Sequence, residues 1–368
     1  MDIKSLAQVS NRESRRSSAR YRDTADLLFA GNRESLEEKD GVQAVVYLRR
    51  AIELSPDNAK YFLLLAYALF QLGELSESAR NFDKSICLEK NPASIIELKR
   101  LLFSAHHIYA SEFLQGSHAP ERQVFMAAAV DLVGAPAASV NILEIGSFAG
   151  SSLITWSNAA EKLLVGDCQI VCIDPWGEFR ADLYNEKMTK SMKDQNIYQI
   201  FCHNASLCPD NVQVTPIRGT SREILPTLDD NKFDLIYIDG SHHYADVLDD
   251  LVKCDRLLKK GGIVCGDDLE LQLTQCDRAF VEKHKKSDLV KDTKSKKDFH
   301  PGVTLAVGEY FGEVSSFSGF WAMRRGSDGY KKVSFVDATG VRPPHWPQNF
   351  QDQITAYFEQ HNELGKLI

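Results

Sequence analysis

Three aspartates and a histidine stand where two apolar runs of the sequence end. Residues 235–238 are apolar and stop at Asp239, with His242 three positions later, and residues 263–265 lead shortly to Asp267 and Asp268. Three carboxylates that converge without a basic neighbour repel one another unless a cation lies between them. These residues are therefore the first candidates for chemistry.

The elements between the two runs explain why residues so far apart in the chain would meet. Apolar residues between positions 247 and 258 recur at spacings of three and four, which is typical of a helix, and Gly261–Gly262 ends it. The pattern predicts a strand, a crossover helix and a parallel strand. Both strands then end at one edge of the sheet, where open α/β sheets bind ligands.

A second candidate site follows an earlier predicted strand, residues 139–145. The strand runs into a turn and helix start that contain Gly146, Ser147, Phe148, Gly150, Ser151 and Ser152. Such a turn lets a ligand approach the backbone and offers free helix N–H groups. A dinucleotide dehydrogenase would carry glycine where Phe148 stands.

Two acidic residues beside this turn favour a sulfonium cofactor over NAD. Glu144, just before the first glycine, suits the methionine amine of S-adenosylmethionine. Asp174 ends the next predicted strand, residues 169–173, and can accept both ribose hydroxyls. Each feature alone also fits a helix cap, but their order and spacing favour S-adenosylmethionine.

The motifs EIGSFAGSS, CIDPW and IDGSH followed by GDD are similar to those of class I S-adenosylmethionine-dependent methyltransferases. They most resemble the branch with catechol, caffeoyl-CoA and macrolide-sugar O-methyltransferases. The resemblance covers residues 120–335 and implies an α/β fold: a Rossmann-like seven-stranded sheet with the last strand antiparallel. It also implies a divalent metal, Mg²⁺ by expectation, on Asp239, Asp267 and Asp268. Further expected cofactor contacts are Trp176, Thr220, Ser221 and Asp239, although Ser221 fits an N-cap equally well.

The chemistry that the resemblance implies is O-methylation of a hydroxylated small molecule, a sugar or a secondary metabolite. A metal-bound hydroxyl loses its proton more readily, and His242, with an ordinary pKa near ~6.5, would accept that proton at neutral pH. Macrolide-sugar enzymes carry histidine at this place and catechol-type enzymes carry lysine; His243 is the second choice. The alternatives are a metal-independent reaction that uses His242 alone, and Asp267–Asp268 acting only as caps of a helix that begins at Leu269.

The N-terminal third has a different pattern, a repeat of helical segments. AVVYLRRAIELSPDN, residues 44–58, returns 34 positions later as SARNFDKSICLEKNP, with the apolar positions repeating best. This period resembles the tetratricopeptide repeat; an ordinary helical bundle is the alternative. We expect a flexible arm over residues 1–20, repeats over 21–115 with closing helices over 92–118, and a possible peptide partner. A non-catalytic interaction protein built on these repeats is the remaining rival to an enzyme.

Composition limits the classes of protein that the chain can belong to. A length of 368 residues favours two domains, and a net charge of −8 argues against nucleic-acid binding. The eight cysteines are scattered without a CxxC pair, which indicates reduced thiols. The sequence has no apolar signal core and no run of ~20 apolar residues. A cytoplasmic protein without membrane contact is expected.

Several segments are predicted less specifically. Residues 176–212 are long enough to form a lid over the site, or an ordinary helix with a loop. The lysine-rich residues 273–300 are expected to be a solvated segment whose lysines could meet an anionic substrate. Residues 314–324 are expected to form a closing hairpin. Residues 336–368 form a predicted extension that ends in a helix and packs on the repeats or on a second subunit, which leaves a homo-oligomer open.

Overall fold

A computed structural model describes residues 38–72, 74–88, 121–134, 139–177, 196–317, 319–335 and 343. The chain divides into two compact units, Met1–Ser117 and His118–Ile368. The predicted arm, the helices expected after residue 92, the middle of the predicted lid and nearly all of the C-terminal extension lie outside the described residues. Within the described ranges, no helix combines the length and apolar character that a membrane span needs.

Within its described residues, 38–72 and 74–88, the first unit has three consecutive helices, α1 (Glu38–Leu54), α2 (Ala59–Gln71) and α3 (Leu75–Leu88). Its core consists of small and branched apolar residues that alternate in size, Ala44, Leu48, Ala51, Leu65, Ala68 and Leu69 among them. The buried Ser78 hydroxyl donates to the Ala66 carbonyl at 2.6 Å, which ties α3 to α2. Paired helices are thus present, and the assignment to tetratricopeptide repeats stays a prediction.

The second unit is built on one mixed sheet of eight strands. Its spatial order is β10-β9-β5-β4-β1-β2-β3, and β8 pairs with β9. The strands are β1 (Ser139–Ile145), β2 (Asp167–Asp174), β3 (Val212–Arg218), β4 (Phe233–Ile238), β5 (Leu258–Leu269), β6 (Val290–Lys291), β7 (Asp298–Phe299), β8 (Ser315–Phe317), β9 (Gly319–Arg325) and β10 (Tyr330–Lys332), of which β6 and β7 form a separate ribbon.

Five strands of the sheet, β1 to β5, run parallel, and β9 runs antiparallel to β5. The antiparallel end and the hairpin of β8 and β9 confirm the predicted closing strands. The predicted number of seven strands is wrong by one, because the chain adds two short strands, β8 and β10, to β9 rather than a single closing strand.

The helices of the second unit connect and cover these strands. They are α4 (Glu121–Gly134), α5 (Ser151–Leu163), α6 (Asn196–Ala205), the one-turn α7 (Ser221–Ile224), α8 (Tyr244–Leu257), α9 (Arg278–His284) and α10 (Pro301–Phe311). Helix α4 packs on α5 and on the sheet, and α8 packs on α10. The strand–helix–strand unit β4-α8-β5 forms as the sequence predicts, so the loops after β4 and β5 share one edge.

Strand β5 is longer than its apolar run and carries both aspartates inside it. Its pairing with β9 shifts register between Gly266 and Leu269, and Asp268 has a left-handed backbone with φ of 63°. No helix begins at Leu269, since β5 ends there and the next helical turn is a 3₁₀ turn at Leu273–Gln275. The helix-cap interpretation of Asp267–Asp268 is therefore wrong.

The start of α10 packs directly against the loop after β4. A Cβ atom on Gly302 would lie 2.2 Å from the His242 carbonyl oxygen and 2.6 Å from the Tyr244 nitrogen. Backbone atoms cannot yield as a side chain can, so only glycine fits here. This contact fixes the position of the loop that carries His242.

We expect Gly302→Ala to lower the free energy of unfolding by about 1–3 kcal/mol, although alanine inside a helix is ordinarily favourable by about 1 kcal/mol. Denaturant unfolding of the full chain measures the change. Gly41→Ala, inside α1, meets only the end of the Leu72 side chain, at 3.2 Å, and should cost less. Equal losses for the two variants would contradict the backbone contact.

Candidate active site

The turn after β1 lies against the end of β4. Gly146 has a left-handed backbone with φ of 87°, and a Cβ atom there would lie 1.9 Å from the Asp239 carbonyl oxygen. The Asp239 N–H donates to the Ile145 carbonyl at 2.9 Å. The glycine turn and Asp239 are therefore adjacent at the carboxyl edge of the sheet.

Asp174 joins the turn after β1 to the loop after β2. Its carboxylate oxygens accept one hydrogen bond each, from the Phe148 N–H at 2.9 Å and from the Trp176 N–H at 2.7 Å. The Trp176 indole donates to the Phe148 carbonyl at 2.7 Å. Burial raises the pKa of Asp174 to about 6, although the backbone hydrogen bonds oppose that rise.

Backbone strain is concentrated at this edge. Phe148, Trp176 and Asp268 all have positive φ without being glycine, with values of 43°, 40° and 63°. Such conformations cost on the order of 1–3 kcal/mol each and persist where the surroundings impose them. Phe148 and Trp176 follow β1 and β2, and Asp268 lies near the end of β5, so three of the five such residues in the described ranges lie at this edge.

Glu144 is completely enclosed behind the turn. Its Oε1 atom accepts a hydrogen bond from the Trp156 indole at 3.1 Å, and burial raises the pKa of its carboxyl. Three buried polar atoms around the turn, Glu144 Oε2, Ser147 Oγ and Asn204 Oδ1, make no hydrogen bond of ordinary geometry within the described ranges, although the Ser147 and Ser152 hydroxyls lie close enough to Glu144 to oppose the rise of its pKa. Ser151 and Ser152 open α5, whose N-cap Gly150 has a left-handed backbone and lacks a side-chain cap.

Thr220 and Ser221 lie in the loop after β3. Thr220 is the N-cap of α7 and forms a capping box with Glu223. The N-cap interpretation of Ser221 is wrong by one position, since Ser221 begins the helix and its hydroxyl bonds to the buried Asp250 carboxyl. The role of both residues in cofactor binding stays a prediction.

Asp239, His242 and Asp268 come together around one point, with ligand atoms within 4.8 Å of one another. His242 Nε2 lies 2.9 Å from Asp268 Oδ2, and the Tyr237 hydroxyl donates to Asp239 at 3.1 Å. Burial raises the pKa of Asp239 to about 7, and Asp268 adds to that rise. This part of the predicted site is assembled as the strand–helix–strand pattern requires.

Asp267 lies elsewhere, in an ion pair with Arg122 of α4. Successive residues of a strand point to opposite faces of the sheet, so Asp267 faces the layer of α4 while Asp268 faces His242. The structure therefore does not bring Asp267 into the group of Asp239 and Asp268. The expectation that these carboxylates have no basic neighbour is also wrong, because Arg122 interacts with Asp239 and Asp268 as well.

His242 is held between two carboxylates. Its Nδ1 atom lies 2.5 Å from Asp288 Oδ1, and its Nε2 atom faces Asp268. Burial alone would lower the pKa of His242, but Asp268 and Asp288 raise it well above its ordinary value. The expectation of an unshifted imidazole is wrong. His243 is the N-cap residue of α8, and its N–H donates to the Ser241 hydroxyl at 3.2 Å.

A second imidazole, His300, lies beside the first, with ring centroids 4.5 Å apart. Its Nδ1 atom is 3.0 Å from Glu270 Oε1 and 3.8 Å from Asp268 Oδ1. Burial would lower the pKa of His300, yet Glu270 and Asp268 raise it. Burial would likewise raise the pKa of Asp268, but His242, His300 and Arg122 hold it well below its ordinary range.

Four of these residues were missed by sequence reasoning: Arg122, Glu270, Asp288 and His300. Arg122 stands between the predicted helices of the N-terminal third and the strand predicted at residues 139–145, and Asp288 stands in the lysine-rich segment that was expected to be solvated. Only Glu270 and His300 offered a signal, since one follows Asp267–Asp268 and the other precedes a return to apolar sequence.

Comparison with known proteins supports a methyltransferase domain in the second unit. A family model described as a methyltransferase domain matches residues 143–269. No curated protein sequence matches the chain.

Solved structures similar to this chain include three O-methyltransferases. TomG from Streptomyces achromogenes, in complex with SAM, is 19% identical over 58% of this chain and 78% of its own, with a TM-score of 0.31. An O-methyltransferase from Bacillus cereus, in complex with SAH, is 18% identical over 60% of this chain and 82% of its own, with a TM-score of 0.32. CalS11, a TDP-rhamnose 3'-O-methyltransferase of calicheamicin biosynthesis, is 16% identical over 68% of this chain and 94% of its own, with a TM-score of 0.36.

We expect Arg122→Met to lower the free energy of unfolding by about 3–5 kcal/mol, because it leaves a buried carboxylate without its partner. The side chains of Arg122 and Asp267 are only 14% and 7% exposed. The double variant Arg122→Met/Asp267→Leu should recover most of the loss. Thermal or urea unfolding of the three proteins measures this, and additive losses in the double variant would contradict the ion pair.

Asp250 predicts a pH dependence of stability. Burial raises its pKa to about 7, so between about pH 4 and pH 7 the unfolded chain loses this proton while the native chain keeps it. The free energy of unfolding therefore falls as the pH rises across that window, and the destabilisation by the buried Asp250 carboxylate stays constant above about pH 7. Asp250→Asn should therefore be more stable than the wild type by roughly 2–4 kcal/mol at pH 8, with little gain at pH 4. Urea unfolding across this pH range measures the difference, and a gain that is constant with pH would contradict the prediction.

Proposed function

We propose that the chain transfers a methyl group from S-adenosylmethionine to a hydroxyl oxygen of a small molecule, with a sugar or a secondary metabolite as the acceptor. The observation that carries the proposal is the meeting of the glycine turn, Asp174 and the group of Asp239, His242 and Asp268 at one sheet edge, within the stretch that matches a methyltransferase domain. When bound, S-adenosylmethionine supplies an electrophilic methyl carbon, whose bond to sulfur breaks as the acceptor oxygen bonds to it.

The residues around the turn fit such a cofactor. Glu144 Oε2 and Ser147 Oγ, both buried at the turn, make no hydrogen bond of ordinary geometry within the described ranges, so a ligand ammonium or hydroxyl group that reached them could donate to these oxygens. Since burial raises the pKa of Glu144, a cation brought to the turn would favour its charged form. Asp174 uses one lone pair per oxygen for backbone N–H groups, and a carboxylate has further lone pairs for ribose hydroxyls.

His242 has the geometry of an oriented base. With a carboxylate at each ring nitrogen, the imidazole is charged and donates from Nδ1 to Asp288 and from Nε2 to Asp268. When Asp268 is engaged elsewhere and the Nε2 proton is lost, Asp288 holds the tautomer in which Nε2 accepts a proton, as a carboxylate does for histidine in other acid–base sites. The ability of His242 to act as a base therefore depends on whether Asp268 is bound to it.

Asp239 and Asp268 would hold the expected divalent cation, and His242 would lie beside it. Hard oxygen donors of this kind suit Mg²⁺, and the cation would lower the pKa of an acceptor hydroxyl. Engagement of Asp268 by a cation would also release His242 Nε2. Asp267 fits this role less well than the sequence suggested, because Arg122 already neutralises it.

The ion pair of Arg122 with Asp267 favours a second version of the same reaction, without a metal. In that version Arg122 supplies the positive charge beside Asp239 and Asp268, with which it interacts. Turnover that persists after exhaustive chelation would select this version, and loss of turnover that Mg²⁺ restores would select the first.

We expect His242→Gln to lower kcat by roughly 10²–10⁴-fold, the usual contribution of a general base, without changing the dissociation constant of S-adenosylmethionine. Calorimetry gives the cofactor affinity, and formation of S-adenosylhomocysteine with a panel of glycosides, nucleotide sugars and catechols gives kcat. His284→Gln, on α9, is the matched control and should behave as the wild type.

Two outcomes would contradict the proposal. A wild-type chain that gives no binding heat with S-adenosylmethionine or S-adenosylhomocysteine would exclude the cofactor. Full activity in His242→Gln together with loss in His243→Gln would move the base to the neighbouring residue.

A further inference from the structure

Asp268 belongs to two groups of possible metal ligands: one with Asp239 and His242, and a second with Glu270 and His300. Asp268 Oδ2 faces His242, while its other oxygen, Oδ1, faces His300 Nδ1 at 3.8 Å. His300 Nδ1 is also 3.0 Å from Glu270 Oε1. The two oxygens of Asp268 thus face two different imidazoles. One possible ligand atom from each of Asp268, Glu270 and His300 lies within 4.8 Å of the other two.

The separation of 3.0 Å matches the spacing of atoms that share a metal ion, and the separation of 3.8 Å is slightly longer than that spacing. Ligands held at about 2.1 Å from one ion lie about 3.0–3.5 Å from each other, and small side-chain rotations close the longer contact. Glu270 is also held in place, because its Oε2 atom accepts a hydrogen bond from the backbone N–H of His300 at 3.2 Å. Its side chain is 30% exposed while that of His300 is 12% exposed, which gives an ion a path from solvent.

The charge balance at this point also favours a cation. Within the described part of the chain, the ion pairs of Asp268 and Glu270 are with His242 and His300, and Arg122, which is paired with Asp267, adds a positive charge near Asp268. The two carboxylates that face His300 therefore have imidazoles as their ion-pair partners. Asp268 additionally has a left-handed backbone, a conformation that persists where the surroundings impose it.

We infer that Asp268, Glu270 and His300 bind a first-row transition-metal dication, such as Zn²⁺ or Co²⁺, at a position separate from the oxygen-lined place beside Asp239. One imidazole with two carboxylates favours such ions over Mg²⁺, which prefers oxygen ligands and waters. The site does not depend on methyl transfer, although Asp268 would belong to both positions and so couple them.

Cobalt titration of the full-length protein tests this inference. The chain is stripped with EDTA and desalted, and Co²⁺ is then titrated by calorimetry and by its visible ligand-field bands. We expect binding that excess Mg²⁺ does not displace. His300→Gln should weaken Co²⁺ binding by at least about tenfold and alter the bands, and Glu270→Gln, on the exposed side, should weaken it as well.

Two matched variants separate this site from its surroundings. His284→Gln removes a histidine of α9 outside the metal-competent groups and should bind Co²⁺ within about threefold of the wild type. Asp239→Asn should keep the bands that depend on His300. Wild-type affinity in His300→Gln, no Co²⁺ binding by the wild type, or loss of the bands in Asp239→Asn alone would each overturn the inference.

Failure here is distinguishable from failure of the proposed function. S-adenosylmethionine binding is measured by calorimetry in EDTA, without any metal. Cofactor binding without Co²⁺ binding overturns only the metal site, and Co²⁺ binding without cofactor binding overturns only the methyltransferase proposal.

Discussion

The constraint on which this structure depends is the crowding of carboxylates at one sheet edge. Asp239 and Asp268 are brought together because β4 and β5 are parallel neighbours, and Glu270 and Asp288 come to the same place from later loops. Like charges so close cannot all remain ionised without compensation. The chain supplies two imidazoles and a guanidinium, and the pKa values of these groups are shifted as a consequence.

This compensation connects fold to chemistry. The contact of Gly146 with the Asp239 backbone places the turn after β1 against the crowded edge, so the proposed cofactor surface and the loop that carries His242 are neighbours. The contact of Gly302 with the His242 carbonyl fixes the loop from the other side. Two glycines therefore set the distance between the proposed cofactor surface and the base, and neither touches a charged side chain of the cluster.

The parts predictable from sequence are those that follow from local periodicity. The strand–helix–strand unit of Asp239 and Asp268 and the glycine turn after β1 were predicted because strand ends in parallel sheets meet at one edge. The separation of Asp267 from Asp268 depends on the alternation of side chains along β5, which an apolar run that ends before them does not reveal. Arg122 and Asp288 reach the site through tertiary packing alone, and no spacing in the sequence marks them.

The most direct test of the central claim is a crystal structure of the full chain grown with S-adenosylhomocysteine and Mn²⁺, read by anomalous scattering. The account predicts the nucleoside against Asp174, an anomalous peak beside Asp239 and Asp268, and His242 Nε2 released from Asp268. Nucleoside density away from the turn after β1, with no anomalous peak and with Asp268 still bound to His242, would contradict it.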